Sequence, residues 1–141
     1  MKDVYEWIAK EPWAEIDPDD AASFGQFLEK TCELVEGAKE TLQVTGTNFY
    51  SVRTHPELRQ RFIDALRAKL NLLKAGKFNH IVFVCDRTLF SDNEGKEAPV
   101  IGVLKEFMGT PGFQVYVGLD RNSAIFNHSV IADGKRGLIG T

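Results

Sequence analysis

The sequence predicts an α/β fold: a βαβαβ core with a largely parallel sheet, a C-terminal β-hairpin and a helical N-terminal extension. Three observations carry this expectation. From residue 41 on, short β-branched or apolar runs alternate with segments of helical length and helical spacing. Near the C-terminus, two apolar runs flank Asp133-Gly134, the composition of a hairpin turn. Over the first forty residues, acidic side chains accompany apolar positions at helical intervals.

In chain order, Val4, Tyr5, Trp7 and Ile8 suggest a short helix whose Trp7, with Trp13, covers a groove. Asp17-Pro18-Asp19-Asp20 is a helix start. Asp17 can cap the free N–H groups, Pro18 suits the first helical position, and the acids favour the positive end of the helix dipole. The helix is expected to run to about residue 39, with Phe24, Phe27, Leu28, Cys32 (or Thr31), Leu34 and Val35 on one side. Residues 42–46, LQVTG, then read as a strand entering a turn. Thr54-His55-Pro56-Glu57 opens a second helix, with Leu58, Phe62, Ala65, Leu66, Leu70 and Leu73 as its buried stripe and Gly76 as its stop.

Residues 80–85, HIVFVC, form an almost wholly apolar run, the pattern of a strand covered on both faces. Residues 92–95 read as an exposed turn, 99–108 as a helix ended by Gly109 and Gly112, and 113–117 as a third strand. Strands joined by helices in this order imply right-handed crossovers and ligands beyond the carboxyl ends of the strands. Thr47, Asn48, Asp86, Arg87, Asp120 and Arg121 occupy those ends. Residues 124–132 and 137–139 complete the hairpin around a turn at Asp133-Gly134-Lys135-Arg136.

Composition narrows the class. A chain of 141 residues is one domain's worth, and it holds no apolar block long enough for a membrane span or a signal peptide. A soluble cytoplasmic protein is therefore expected. The net charge of -3 conceals an asymmetry, because residues 1–40 hold 4 Lys/Arg against 11 Asp/Glu and residues 41–141 hold 13 against 9. The division suggests an acidic helical extension over 1–40 and an α/β domain over 41–141. A mild positive excess suits a phosphate-bearing ligand, whereas nucleic acid calls for a denser basic stripe. Cys32 and Cys85 are too few and too far apart for a zinc cluster, and His55, His80 and His128 have no metal-like spacing. No metal and no cofactor is expected. No phosphate loop of the P-loop or dinucleotide type is present, and Cys85 reads as a buried strand thiol rather than a nucleophile.

The chemistry lies in residues 126–141, FNHSVIADGKRGLIGT. They resemble the H-x-K-x4-D-x6-G-[ST] motif of the phospholipase D superfamily, which follows a βαβαβ unit of about this size. Asp133, Gly140 and Thr141 match. The histidine position holds Phe126 and the lysine position holds His128. Residues 34–141 are similar in layout to one repeat of that superfamily.

The resemblance implies a phosphodiesterase architecture in which the histidine attacks phosphorus, the lysine neutralises the phosphate, and two motifs meet across a pseudo-twofold axis. Phenylalanine has no lone pair to offer phosphorus, so Phe126 removes the nucleophile. His128, two residues on and on the same strand face, can still bind an anion when protonated. Its alternatives are to serve as the nucleophile itself or as a satisfied structural histidine. Asp133 has two readings as well: the family's orienting aspartate, or a residue favoured before glycine in a hairpin turn for backbone reasons. If any catalysis persists, His128 and Asp133 carry it. Ligand binding falls to His128 and Thr141 in the motif and to Asn48, Arg87 and Arg121 at predicted strand ends, while Lys135 and Arg136 read as solvent-facing turn residues.

In the family, an asparagine-containing segment and further strands follow the Gly-Thr pair. Thr141 is therefore expected to mark a truncation or the first half of a two-repeat protein. Three functions follow: noncatalytic binding of a phosphate-bearing ligand or partner, an active phosphodiesterase of phospholipase or nuclease type using His128 or a second half's motif, and a structural homodimerisation domain.

Overall fold

A computed structural model describes the backbone of residues 4–8, 14–16, 21–46, 55–86, 97–118 and 128–140. Strand β1 (Val4–Ile8) and β2 (Ala14–Ile16) precede helix α1 (Ala21–Gly37). Then come β3 (Thr41–Thr45), α2 (Pro56–Lys74), β4 (His80–Asp86), α3 (Pro99–Glu106) and β5 (Phe113–Gly118). The hairpin β6 (His128–Ala132) and β7 (Arg136–Gly140) follows. All the strands join one sheet in the order β2-β1-β7-β6-β3-β4-β5.

The general α/β class and the βαβαβ core are as expected, with β3–β4 and β4–β5 paired in parallel. The sheet as a whole is mixed, because β6 returns antiparallel beside β3 and β7, β1 and β2 continue antiparallel outward. The expected N-terminal helix over Val4, Tyr5, Trp7 and Ile8 is instead strand β1, paired along its length with β7. Five residues are too few for periodicity to separate helix from strand, and this β-branched and aromatic composition suits a strand once a hairpin edge is available to it. Among the described residues the extension is therefore helical in α1 alone, and its first strands belong to the common sheet.

Helix α1 buries Phe27, Leu28, Leu34 and Val35 of the predicted stripe, with both Thr31 and Cys32 inside. The Thr31 hydroxyl is satisfied by donating to the Phe27 carbonyl at 2.8 Å. Helix α2 buries Phe62, Ile63, Ala65, Leu66, Leu70 and Leu73. It stops where the sequence places Gly76: the Gly76 N–H donates to Leu73 O at 3.0 Å and the Lys77 N–H to Leu72 O at 2.8 Å. With Gly76 at φ 77°, this is a Schellman ending. Gly112 is required twice over, by its φ of 86° and because a Cβ there would sit 2.9 Å from the Asn79 carbonyl oxygen.

Burial is one-sided. Leu42, Val44, Ile81, Phe83, Cys85, Val130, Ala132 and Leu138 are buried together on the face that meets the helices. Their strand neighbours on the opposite face stay wetter: Gln43, Gln114 and Tyr116 are exposed, and Val82, Val84 and Ile131 are half-buried. The apolar run of β4, expected to be covered on both faces, is thus fully buried on one only. The expected helix start at Asp17-Pro18-Asp19-Asp20, the turn at 92–95, the first residues of the 124–132 strand and Trp13 lie outside the described residues.

Candidate functional site

The parallel strands define the candidate edge. β3, β4 and β5 end at Thr45, Asp86 and Gly118, and the Gly46 N–H closes the first turn by donating to Val84 O at 2.9 Å. Because β6 runs antiparallel to β3 with Ser129 opposite Thr45, it begins beside these carboxyl ends. His128 opens β6 opposite Gly140 of β7, so the backbones of two motif positions meet at this edge. Of the other ligand-binding candidates, Asn48 follows β3 in the chain, Arg87 follows β4, Arg121 follows β5 and Thr141 follows β7. All four, together with Phe126, lie outside the described residues.

Helix α2 starts at the same edge. Its N-cap His55 is left-handed at φ 53° and its side chain makes no cap hydrogen bond; Pro56 follows in the first turn. A β-carbon at Gly25 of α1 would touch the His55 imidazole at 3.4 Å, so glycine lets the ring sit close against α1.

Asp133 lies elsewhere. It lies five positions after His128, which in an extended strand is roughly 16 Å, and it occupies the hairpin turn at the opposite end of β6. Asp133 and Gly134 have φ of 58° and 64°, and the Lys135 N–H donates to Ala132 O at 3.0 Å, a type I′ arrangement. The carboxylate reaches across to the link between α1 and β3. Its Oδ1 accepts from the N–H groups of Lys39, Glu40 and Thr41 at 3.1, 2.7 and 3.0 Å. Oδ2 accepts again from Lys39 at 3.0 Å, and the Asp133 N–H donates to Thr41 O at 2.9 Å.

Partial burial works against ionisation of this carboxyl, but the three amides and the nearby Lys135 outweigh it and hold its pKa below the ordinary value. The structure therefore does not bring His128 and Asp133 together; Asp133 pins the α1–β3 link to the hairpin. Spacing within the motif pointed to the turn and carried no signal of this long-range reach, which spans more than ninety residues. Lys135 and Arg136 are exposed, as expected, although Arg136 already belongs to β7.

Between α1 and α2, Arg61 holds Glu36 through two bonds, Nε to Oε2 at 3.0 Å and Nη2 to Oε1 at 2.6 Å. Lys69 Nζ donates to the Ala38 carbonyl at 2.6 Å. An open groove of about 710 Å³ runs along this seam, lined also by Glu57, Gln60 and Asp64. Cys32 and Cys85 are both buried and form no disulfide. Burial pushes the Cys32 thiol up to about 11, and its Sγ lies 3.4 Å from the Leu58 carbonyl as a weak donor. Among the described residues, no group of three His, Cys, Asp or Glu side chains could hold a metal ion, and no helix is long and apolar enough to cross a membrane.

Comparison with protein-family models finds none that matches the chain, and no curated protein matches its sequence.

Proposed function

We propose that this chain is a phospholipase D-like domain that binds a phosphate-bearing ligand or partner at the carboxyl edge of its sheet without turning it over. The observation that carries the reading is the pairing of β6 with β3, which begins β6 at His128 beside the ends of the parallel strands. Open α/β sheets bind ligands at that edge. A histidine in the lysine position can carry positive charge when protonated, and a phenylalanine in the histidine position has no nucleophile to offer. Asp133 takes no part in this edge, since its carboxylate is engaged by backbone amides at the other end of β6.

Titration with inorganic phosphate or tungstate at about pH 6, followed by thermal unfolding, tests the proposal. Anion at a hundred times its Kd should stabilise the wild type by about 2.7 kcal/mol, and His128→Ala should abolish the effect. An unchanged melting temperature at saturating anion defeats it. A generic aryl phosphodiester assayed in parallel should be hydrolysed no faster by wild type than by His128→Ala. Hydrolysis that the substitution removes would favour the phosphodiesterase reading with His128 as nucleophile.

A further inference from the structure

Among the described strands, β5 ends the sheet on one side, with only β4 beside it. The direction of its backbone groups follows from one hydrogen bond. Ile81 lies opposite Phe113, and its N–H donates to Gly112 O at 2.9 Å. In a parallel ladder such a residue bonds to the two positions flanking its partner, so Gln114, Tyr116 and Gly118 turn their backbone groups toward β4. Val115 and Val117 turn theirs outward. The Phe113 N–H, also on the outer side, is already taken by Thr110 O at 3.0 Å.

Natural sheets protect such an edge with charge, proline, a bulge or brevity. The opposite edge, β2, has three residues and includes a glutamate. β5 has six residues, FQVYVG, with neither charge nor proline. The described surface is apolar at this place: of its four exposed large hydrophobic side chains, Met108, Tyr116 and Val117 lie in or just before β5. Outward amides and carbonyls on an uncharged, β-prone segment are complementary to another strand.

We propose that β5 is a self-association edge, and that two copies of this chain pair antiparallel through it about a twofold axis at Tyr116. In this register Val115 of each copy exchanges both backbone hydrogen bonds with the partner subunit's Val117. All the outward groups of these two valines are thereby satisfied. Tyr116, 54% exposed, lies opposite its own counterpart at a non-hydrogen-bonded position, where facing side chains come closest. Gln114 lies opposite the partner subunit's Gly118, so no like charges meet. A second copy is favoured over a foreign peptide because the strand is its own complement: uncharged, and matched under reversal in its bonding pattern. The inference is independent of the ligand proposed above, and it leaves the two carboxyl edges pointing in opposite directions.

Sedimentation equilibrium from about 5 to about 500 µM tests it, since association follows mass action. The wild type should pass from 15.8 kDa toward twice that mass. Val117→Pro removes an outward N–H while sparing the β4 pairing, and Tyr116→Lys sets two ammonium groups face to face; each should remain monomeric with an unchanged far-UV spectrum. Mixing Tyr116→Lys with Tyr116→Glu should restore the dimer. Hydrogen exchange at the Val115 and Val117 amides of the wild type should slow as concentration rises. A wild type that stays monomeric throughout overturns the proposal, whether or not the edge accepts a peptide. So does a dimer that survives both single substitutions, because it must use another surface.

Discussion

Asp133 shows how one residue can satisfy two demands made by distant parts of the chain. Its left-handed backbone serves the turn, a conformation Asp tolerates better than most residues, and its carboxylate collects three amides from the link between α1 and β3 and the first residue of β3. Asp133→Asn keeps the backbone preference and one acceptor, and should cost about 1 kcal/mol in urea unfolding. Asp133→Ala loses both features and should cost roughly a further 1 kcal/mol. The same group sets a pH dependence. Its folded-state pKa lies below its unfolded value, so between the two the unfolded chain binds more protons. Its contribution is therefore fully present above the ordinary aspartate value of 3.8 and is lost as pH falls through the lowered folded value. Unfolding measured from pH 5 downward should show a shallower acid-side loss in Asp133→Asn than in wild type.

At the scale of elements, β1 is the informative case. It pairs with β7 from Val4↔Gly140 to Ile8↔Arg136, so it completes the hairpin's outer side. A chain beginning at residue 17 would leave β7 as an edge, and a two-stranded hairpin held on one side only is less stable than a strand paired on both. Its amides over 136–140 should lose hydrogen-exchange protection and its melting temperature should fall by several degrees, a shift of roughly 1–2 kcal/mol for a domain of this size. A truncated chain that melts with the wild type would mean that β1 is peripheral. The long helix α2 and strand β4 needed no such context. The first has a nineteen-residue amphipathic pattern with Pro56 and Gly76 at its ends, and the second an apolar run of strand length.

For the molecule as a whole, the consequential fact is that the core lies on one side of the sheet. Phe83 is fully buried among the helices, whereas its strand neighbour Val84 faces the other way and is half-buried. Phe83→Ala should therefore cost about 3–5 kcal/mol through lost burial and a cavity. Val84→Thr should stay within about 1 kcal/mol, because the added hydroxyl can reach water. Equal costs at the two positions, measured by denaturant unfolding, would show that the second face is covered as well.

The sequence by itself determined the α/β class, the βαβαβ order, the stripes of α1 and α2, and the Asp-Gly turn. These are local properties, written in periodicity, capping residues and backbone preference over a few residues. A family resemblance drew attention to 126–141 as the candidate segment, and tertiary structure alone decided how that segment divides. Strand pairing carries the beginning of β6 to the carboxyl edge and Asp133 to the other end, where amides more than ninety residues away in the chain claim its carboxylate. Tertiary structure likewise made β1 a strand, put the helices on one face and left β5 at the rim. Each outcome depends on which backbone hydrogen bonds and which apolar faces remain unmatched once distant segments meet, and no local window of sequence contains that information.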